Sequence, residues 1–523
     1  MSVLSVLPNL LRLARGGFVM AREGALRIAD PIDLPPHVRT LIRLGRLIER
    51  RGATDGADGL ARALQRLGPS YVKLGQFLAT RPDVVGLRTA RDLERLQDRV
   101  DPFPQDQAEA AIEEALAAPL SSRFVALGPA VAAASIAQVH RATVRDAFGE
   151  RVVAVKVLRP GVAHRIGRDL EAFLAIARMI ERWAPKARRL KPVVVVETLA
   201  RSVAIEMDLR LEAAALSEIA ENTAADPGFR VPEVDWERTA RGVLTMEWIE
   251  AIKLSDREAL VAAGLDLPAL GQLVMQTFLR HAMRDGFFHA DMHPGNLFVD
   301  AAGGLIAVDF GLTGRLGRKE RRFLAEILHG FITRDYKRIA EVHFEAGYVP
   351  ADQSVDEFAR ALRAIGEPIH SRTADQISMA KLLTLLFEVT ELFQMETRPE
   401  LLMLQKTMVV VEGVARSLDP KLDMWATAAP VVREWLERNL GPVGVAETAV
   451  EELRQLARGL AAVPELLLRI ERTSVELEEV VRGGLSYSEE SIQAIVGGVR
   501  RAAIWSNLAL AAIAVGLLVY MFR

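Results

Sequence analysis

A short polar segment from His289 to Asn296 has the residue types and spacing of a phosphoryl-transfer site. It reads His-Ala-Asp-Met-His-Pro-Gly-Asn, with Asp291 five residues before Asn296, and an Asp-Phe-Gly begins at Asp309, thirteen residues further on. Kinases carry an aspartate and an asparagine at this spacing and a separate Asp-Phe-Gly. Phosphoryl transfer needs groups that hold Mg²⁺ against the phosphates and groups that position the nucleophile. We therefore expect Asn296 and Asp309 to bind Mg²⁺, and Asp291 to orient or deprotonate a hydroxyl or a water.

The two histidines of this segment allow a second interpretation. His289, Asp291 and His293 together have side chains that bind transition metals. That interpretation leaves Asn296 and the Asp-Phe-Gly without a role, so it is the less favoured one. His289 alone is expected to be structural.

A lysine at the end of the apolar segment Val-Ala-Val-Lys, Lys156, matches the lysine strand of kinases. There the ammonium contacts the α and β phosphates and pairs with a glutamate on a helix. We expect Glu212 to be that partner, in a predicted helix that includes residues 206–212 and presents Asp208 and Glu212 on one face. Taken alone, a snorkelling lysine and a solvated acidic face would explain the same residues.

The place of the kinase glycine-rich loop is taken here by an alanine-rich segment. Alanine restricts the backbone where glycine would permit a close approach to phosphate, so we expect the nucleotide to be held differently. Without the other motifs, the segment would read as an ordinary alanine-rich turn or helix. The candidate nucleotide-binding residues within it are Ala132, Ala133, Ala134 and Ser135.

A Lys-x-Gly-Gln segment far upstream is the last candidate motif. Lys73 and Gln76 lie three residues apart on one predicted helix face, and Gly75 would let that helix pack closely against another backbone. By itself the segment is typical of an amphipathic helix with a surface lysine. A buried ammonium requires a carboxylate, and Glu206 or Asp208 is the predicted partner.

Taken in order from Lys73 to Arg315, these motifs resemble the UbiB (aarF-domain, ADCK-type) family of atypical protein-kinase-like proteins. The resemblance implies a kinase fold in which the Lys-x-Gly-Gln helix lies over the active site and blocks protein substrates. It also implies ATP binding, ATPase activity and support of ubiquinone biosynthesis. No Ala-Pro-Glu follows Asp309, and the segment from Leu312 to Gly317 is short, so a conventional protein kinase is not expected.

The resemblance and the residues together predict a membrane-anchored atypical kinase or ATPase with ATP and Mg²⁺ as cofactors. Lipid or quinone precursors, the membrane and enzymes of ubiquinone biosynthesis are the expected partners. Two alternatives stay open. One is a small-molecule kinase of the aminoglycoside or choline type, which uses a similar loop. The other is a lipid-binding scaffold that uses the nucleotide only as a switch.

Composition excludes several other classes of protein. The chain has 523 residues, a formal net charge of −2 and no cysteine. The absence of cysteine removes disulfides, iron–sulfur clusters and thiolate zinc sites. A near-neutral charge argues against a nucleic-acid partner, which normally requires a basic excess.

The pattern of apolar residues predicts a mainly helical chain with a few strands. Together with the resemblance, which implies a kinase-like fold, it leads us to expect an α+β, bilobal and mainly helical kinase-like protein. A helical N-terminal extension is expected over residues 1–118. An N-lobe with inserted helices follows over residues 119–250, with an antiparallel strand pair at 138–144 and 151–158. A helical C-lobe and C-terminal extension are expected over residues 251–498.

An uncharged run of 21 residues, 502–522, stands near the C-terminus and is long enough to cross a bilayer as a helix. Arg500 and Arg501 precede it, so the positive-inside rule predicts a single-pass anchor with the kinase-like part in the cytoplasm. If the source is bacterial, this anchor would lie in the inner membrane. A buried or interfacial helix is the alternative. The resembling family commonly ends in two hydrophobic helices, but Ser491–Val499 is too short for a second span.

Overall fold

The computed structural model describes residues 14–27, 43–50, 56–79, 85–93, 101–147, 149–183, 188, 191–370, 389, 392–395 and 399–441. The chain divides into two compact units, Met1–Glu437 and Arg438–Arg523. Every element that bears on the site lies in the first unit. The described part of the second is limited to residues 438–441, where the last described helix ends.

The N-terminal part is helical. After a helical stretch over residues 14–22 come α1 (Gly56–Leu67), α2 (Pro69–Ala79) and α3 (Leu87–Leu93). Leu64, Ala79 and Leu93 form a small buried cluster that joins these three helices. The helix that carries the Lys-x-Gly-Gln segment, α2, is therefore fixed in place by its neighbours and is not an isolated surface helix.

The N-lobe begins with α4 (Gln105–Leu116) and the short α5 (Leu120–Arg123), and continues into a four-stranded antiparallel sheet in the order β1-β2-β3-β5. The strands are β1 (Ala126–Ala133), β2 (Ala137–Asp146), β3 (Gly149–Leu158) and β5 (Val243–Glu247). Val153, Val155 and Val157 alternate along β3 and are at most 1 % exposed, because one face of the sheet packs on Ile112 of α4. The predicted strand pair is confirmed: Asp146 pairs with Gly149 at the turn and Ala137 with Leu158 at the far end.

The sequence carries no clear strand signal at β1, because Gly128-Pro129 is typical of a break between elements. Proline lacks the amide donor that a central strand requires, but an edge strand tolerates it. Strand β1 lies at the sheet edge, and its register shifts between Leu127 and Ala130, so Pro129 falls at a bulge.

Three helices are inserted after β3: α6 (Val162–Trp183), α7 (Pro192–Glu206) and α8 (Leu209–Thr223). The prediction of one continuous helix through Glu206 and Glu212 is wrong. Helix α7 ends at Glu206, and Asp208 accepts a hydrogen bond from the Arg210 amide as the N-cap of α8. Aspartate favours this position because its carboxylate satisfies an amide with no partner inside the helix. Asp208 and Glu212 therefore do not share a helix face.

The C-lobe contains β4 (Phe229–Arg230), β6 (Ile252–Lys253), α9 (Arg257–Ala262), α10 (Leu267–Arg280), a π-helix (His281–Asp285), β7 (Phe287–His289), β8 (Leu297–Val299), β9 (Leu305–Ala307) and β10 (Thr313–Arg315). Two small sheets have the orders β4-β9-β8-β6 and β10-β7. Strands β7 and β8 flank the segment that contains Asp291, and strands β9 and β10 flank the segment that contains Asp309. The largest buried cluster among the described residues includes side chains from both of these sheets.

The helices that follow are α11 (Arg318–Thr333), α12 (Tyr336–Glu345), α13 (Val355–His370), α14 (Pro399–Leu418) and α15 (Met424–Leu440). Helices α10 and α14 pack closely: a Cβ on Gly271 would lie 2.9 Å from the carbonyl oxygen of Ala415. Trp435 of α15 donates its indole N–H to the Met283 carbonyl at 2.7 Å. The α+β, mainly helical kinase-like fold predicted from the sequence is confirmed.

No helix in the described ranges is both long and apolar enough to span a membrane. The predicted anchor at 502–522 lies outside the described residues.

Candidate active site

The centre of the site is an ion triad formed by one lysine and two carboxylates. Lys156 Nζ on β3 lies 2.8 and 2.9 Å from the two carboxylate oxygens of Glu212 on α8. It also lies 3.0 Å from Oδ1 of Asp309. An ammonium has three protons, so one lysine satisfies all three contacts. The triad thus joins the N-lobe sheet, an inserted helix and the Asp-Phe-Gly of the C-lobe.

The charges in the triad shift the pKa of each member. Burial acts to lower the pKa of Lys156, but Asp309 and Glu212 outweigh it and raise that pKa above its usual value. The charge of Lys156 lowers the pKa of Asp309 to about 2, against the effect of desolvation. Burial raises the pKa of Glu212 to about 7, although Lys156 acts in the opposite direction. Lys156 and Asp309 are therefore charged at neutral pH.

Asp309 has a backbone conformation that few residues adopt. Its φ is 62°, in the left-handed region, where aspartate is better tolerated than most side chains. The conformation sends Phe310 into the core, where it is 2 % exposed, while the Asp309 carboxylate stays half exposed. A half-exposed, ionised carboxylate can bind a cation from the solvent side.

His289 is a buried structural link and not a metal ligand. Its Nδ1 accepts a hydrogen bond from the Asp291 amide at 3.1 Å, and its Nε2 lies 3.2 Å from the Val308 carbonyl. Since Nδ1 accepts, the proton belongs on Nε2, which donates to Val308. Burial lowers the pKa of His289, consistent with a neutral ring.

The transition-metal interpretation finds no support. Across the described part of the chain, no group of three or more histidine, cysteine, aspartate or glutamate side chains is placed to hold a metal ion. His289 uses both ring nitrogens within the protein.

Asp291 and Asn296 are joined directly. Asn296 Nδ2 donates to the carbonyl oxygen of Asp291 at 3.1 Å and lies 3.3 Å from its Oδ2. The Asn296 carbonyl accepts from the amide of Val308, at 2.9 Å. The predicted catalytic loop is thereby tied to the residue before Asp309, so the three candidate residues belong to one hydrogen-bonded unit.

The alanine-rich segment is the turn of a β-hairpin, not a helix. Ala132 and Ala133 end β1, and the Ala134 amide donates to the Ala137 carbonyl at 2.8 Å across the turn. Arg159, the residue after β3, also holds the turn, since its Nε donates to the Ala134 carbonyl at 3.1 Å. Ser135 is fully buried, and its Oγ has no hydrogen-bond partner among the described residues.

Helix α2 is held against the inserted helices by polar contacts. Lys73 Nζ lies 2.6 Å from Oε2 of Glu206 on α7, and Ser70 Oγ donates to Asp169 Oδ2 on α6 at 2.5 Å. Of the two predicted partners, the structure places Glu206 against Lys73. Asp208 instead pairs with Arg210, whose Nη2 lies 2.6 Å from Oδ2.

Two further features place α2 beside the triad. Lys73 is among the charges that lower the pKa of Asp309. Tyr71, Leu74 and Phe77 pack on the apolar cluster that contains Ile136, the residue after Ser135. Gly75 is buried and Gln76 is half-buried on the same helix.

Sequence reasoning missed Ser70 and Asp169, which form the second tie between α2 and the inserted helices. Ser70 lies two residues after Gly68, within a Gly-Pro-Ser that signals a helix start. That signal locates the start of α2, but nothing in it identifies Asp169 as the partner.

A kinase-type lysine, its helix glutamate, an Asp-Phe-Gly and an Asp-to-Asn loop define an atypical kinase-like protein. The profile of the ABC1 atypical kinase-like domain matches residues 95–343, and the profile of the UbiB helical domain matches residues 362–423. A Marinobacter nauticus protein described as "Probable protein kinase UbiB" is 40 % identical over 442 residues, which are 83 % of this chain and 80 % of that protein. The chain belongs to the UbiB family.

A solved structure shares the fold. It is titled as the complex of Rv3197 with erythromycin from Mycobacterium tuberculosis. It is 25 % identical in sequence and superposes with a TM-score of 0.51, over 69 % of this chain and 90 % of that one.

Proposed function

We propose that this protein is a membrane-anchored atypical kinase or ATPase that binds Mg-ATP and supports ubiquinone biosynthesis. It would act on isoprenoid quinone precursors or on the enzymes that process them. The observation that carries the catalytic part is the triad of Lys156 with Glu212 and Asp309. In kinases the corresponding lysine pairs with the helix glutamate and contacts the phosphates, while the Asp-Phe-Gly aspartate holds the metal.

The residues present fit a magnesium ion. Asp309 is ionised and half exposed, and carboxylate and amide oxygens are ligands that Mg²⁺ prefers. Because Asn296 uses Nδ2 to bind Asp291, its Oδ1 is the atom available to a cation. Asp309 and Asn296 would hold the ion.

The residues also fit a nucleotide. Ser135 has a buried hydroxyl without a partner in the turn that replaces the glycine-rich loop, and such a group is normally satisfied by a ligand or a water. When bound, ATP supplies the phosphoryl group. Lys156 neutralises phosphate charge, and Asp291 orients the attacking hydroxyl or water and accepts its proton.

The position of helix α2 supports the proposal that only some phosphoryl acceptors can reach the site. The ties from Lys73 to Glu206 and from Ser70 to Asp169 hold it beside the triad, where it would exclude peptides and leave room for a lipid headgroup. This part of the proposal also rests on the family, since a relative carries UbiB in its name.

The membrane part rests on the uncharged run at 502–522, with Arg500 and Arg501 before it. It proposes a single-pass anchor with the kinase-like part in the cytoplasm. Removing residues 502–523 should release the protein into the soluble fraction. Equal membrane association after truncation would place the anchor elsewhere.

The decisive experiment measures phosphate release from ATP by the full chain in liposomes, with Mg²⁺ or with a chelator. Each condition is repeated with and without a polyprenylated phenol as the quinone-precursor lipid. We expect magnesium-dependent hydrolysis that the lipid stimulates. Phosphorylation of an aminoglycoside or of choline would instead identify a small-molecule kinase. Nucleotide binding without turnover would identify a nucleotide-switched scaffold.

A further inference from the structure

A threonine of the helical region reaches the catalytic loop. Thr407 lies on α14, within the part of the chain that matches the UbiB helical domain and outside the part that matches the kinase-like domain. It is fully buried, and its Oγ1 lies 3.0 Å from the carbonyl oxygen of Ala290. Ala290 immediately precedes Asp291, the proposed catalytic aspartate.

The hydroxyl has two acceptors within reach but only one proton to donate. The second is the carbonyl of Met403, at 2.8 Å, four residues earlier on α14. A helix carbonyl already accepts the amide four residues on. By contrast, no other donor in the described ranges is recorded on the Ala290 carbonyl. The Ala290 carbonyl therefore depends on the Thr407 hydroxyl for a hydrogen bond, whereas the Met403 carbonyl already has one within the helix.

The bond fixes the peptide plane that leads into Asp291. The Ala290 carbonyl and the Asp291 amide belong to one planar peptide unit. Its N–H donates to His289 Nδ1 at 3.1 Å, and its carbonyl oxygen accepts from Thr407. Because hydrogen bonds hold both the N–H and the carbonyl of this peptide unit, the backbone that leads into Asp291 has little rotational freedom.

The helix that carries Thr407 is a rigid support. Its Ala415 meets Gly271 of α10 at a distance that leaves no room for a side chain. Arg257 Nη1 donates to the carbonyls of Ser417 and Leu418 at 2.6 and 3.2 Å. The C-lobe thus holds α14 along its C-terminal half.

We propose that Thr407 is a positioning residue for Asp291. Through its bond to the Ala290 carbonyl, the helical region sets the orientation of the catalytic loop. Thr407 does not touch the reacting atoms and acts through Ala290. The inference rests on the proposed function for the role of Asp291, but its geometric part is testable without turnover.

The test compares Thr407→Val, which keeps the shape and removes the hydroxyl, with Thr407→Ser, which keeps the hydroxyl. Thr277→Val is the matched control, because Thr277 on α10 is equally buried and its Oγ1 has no partner among the described residues. We expect kcat for ATP to fall about tenfold in Thr407→Val while KM changes less than about twofold, as for lost orientation at one loop. Thr407→Ser and Thr277→Val should keep the turnover of the parent chain.

Amide hydrogen exchange over residues 289–296 gives a second readout that needs no turnover. Thr407→Val should exchange these amides about tenfold faster, and the other two variants should not. If the parent chain hydrolyses no ATP, the proposed function fails, and the exchange rates still decide whether Thr407 fixes the loop. Unchanged exchange in Thr407→Val overturns the inference, and so does equal loss of turnover in Thr407→Ser.

Discussion

Lys73 and Glu206 form an ion pair of 2.6 Å that joins the N-terminal helix α2 to the inserted helix α7, and both side chains are less than one-fifth exposed. A charge pair at this depth is weakly screened by water, so removing one partner leaves the other desolvated and unpaired. Changing this pair should therefore loosen α2 without altering the proposed metal ligands.

Lys73→Ala should destabilise the protein by about 1–3 kcal/mol, because Glu206 is left without its partner. It should also change ATP turnover or its response to lipid. In a strain from which the gene of this protein has been deleted, the variant should fail to restore quinone synthesis. Lys319→Ala, which removes an exposed lysine of α11, is the control and should be silent. Full complementation by Lys73→Ala with unchanged turnover would reduce α2 to an ordinary surface helix. Replacing the buried Gly75 with a larger residue should have the same effect as Lys73→Ala.

Asp309→Asn should weaken nucleotide binding in Mg²⁺ by at least about tenfold, since the neutral amide loses the charge that holds the cation. Isothermal titration with and without a chelator measures this directly. Glu237→Gln is a suitable control, because the Glu237 side chain is 82 % exposed. Binding that ignores both the chelator and Asp309→Asn would contradict the proposed metal site.

Lys156→Met should destabilise the fold by about 3 kcal/mol, because it leaves the buried Glu212 carboxylate without its ammonium. The single change Glu212→Gln and the double change Lys156→Met with Glu212→Gln complete the set. The double variant should lose less stability than the sum of the two single changes, which urea denaturation of the three variants would show. Additive losses would mean that the two side chains do not interact in solution. Both Lys156 variants should bind ATP more weakly.

The short-range motifs could be found from the sequence because their chemistry depends on spacing along the chain. Asp291, Asn296 and Asp309 stand within one stretch, and Lys156 stands on a strand that alternation predicts. By contrast, Ser70 meets Asp169 across 99 residues, and Thr407 meets Ala290 across 117. Such pairs are set by how elements pack, and no local pattern encodes them.

The break between α7 and α8 was missed for a different reason. No proline or glycine marks Met207-Asp208, and helix periodicity continues through it. The signal was the aspartate itself, which favours an N-cap. The edge strand β1 was missed because its Gly128-Pro129 reads as a turn until the strand is known to be at an edge.

Acid should unfold the protein partly through Asp226. Burial acts to raise the pKa of Asp226, but His281 and Arg284 outweigh it and hold the pKa well below its usual range. Arg284 makes the closer contacts, at 2.5 and 3.1 Å, whereas His281 Nε2 lies 3.5 Å away. Because the pKa of Asp226 is lower in the folded state than in the unfolded state, the ionised carboxylate stabilises the fold at pH values above the unfolded-state pKa of about 4. This stabilisation is lost as the pH falls through the folded-state pKa.

The Asp226→Asn variant should therefore be less stable than the parent protein at neutral pH. Its free energy of unfolding should also fall less steeply as the pH drops below about 4. Denaturant unfolding at several pH values would show this. An unchanged slope would mean that Asp226 is not ion-paired in solution. Asp352→Asn, at an exposed position, is the control.

The crossing of α10 and α14 gives a pair of glycine substitutions with opposite signs. Gly271→Ala should destabilise by about 1–3 kcal/mol, because its Cβ would meet the Ala415 carbonyl at 2.9 Å. Gly413→Ala, on α14 with open space at its Cβ, should stabilise by about 0.5–1 kcal/mol through helix propensity. Thermal unfolding separates the two. Equal effects would show that the helices do not approach as closely as described.

The segment after the Asp-Phe-Gly has a consequence for how the protein is regulated. Thr313–Arg315 pair with β7, a Cβ on Gly314 would clash with the Phe288 ring, and α11 begins at Arg318. A segment this short has no slack that a phosphate group could order or release. The segment loses its conformational entropy when the protein folds, and it does not have to be ordered again in each catalytic cycle. The proposed metal side of the site would then be formed before the acceptor enters, and we expect regulation to act on entry of the acceptor.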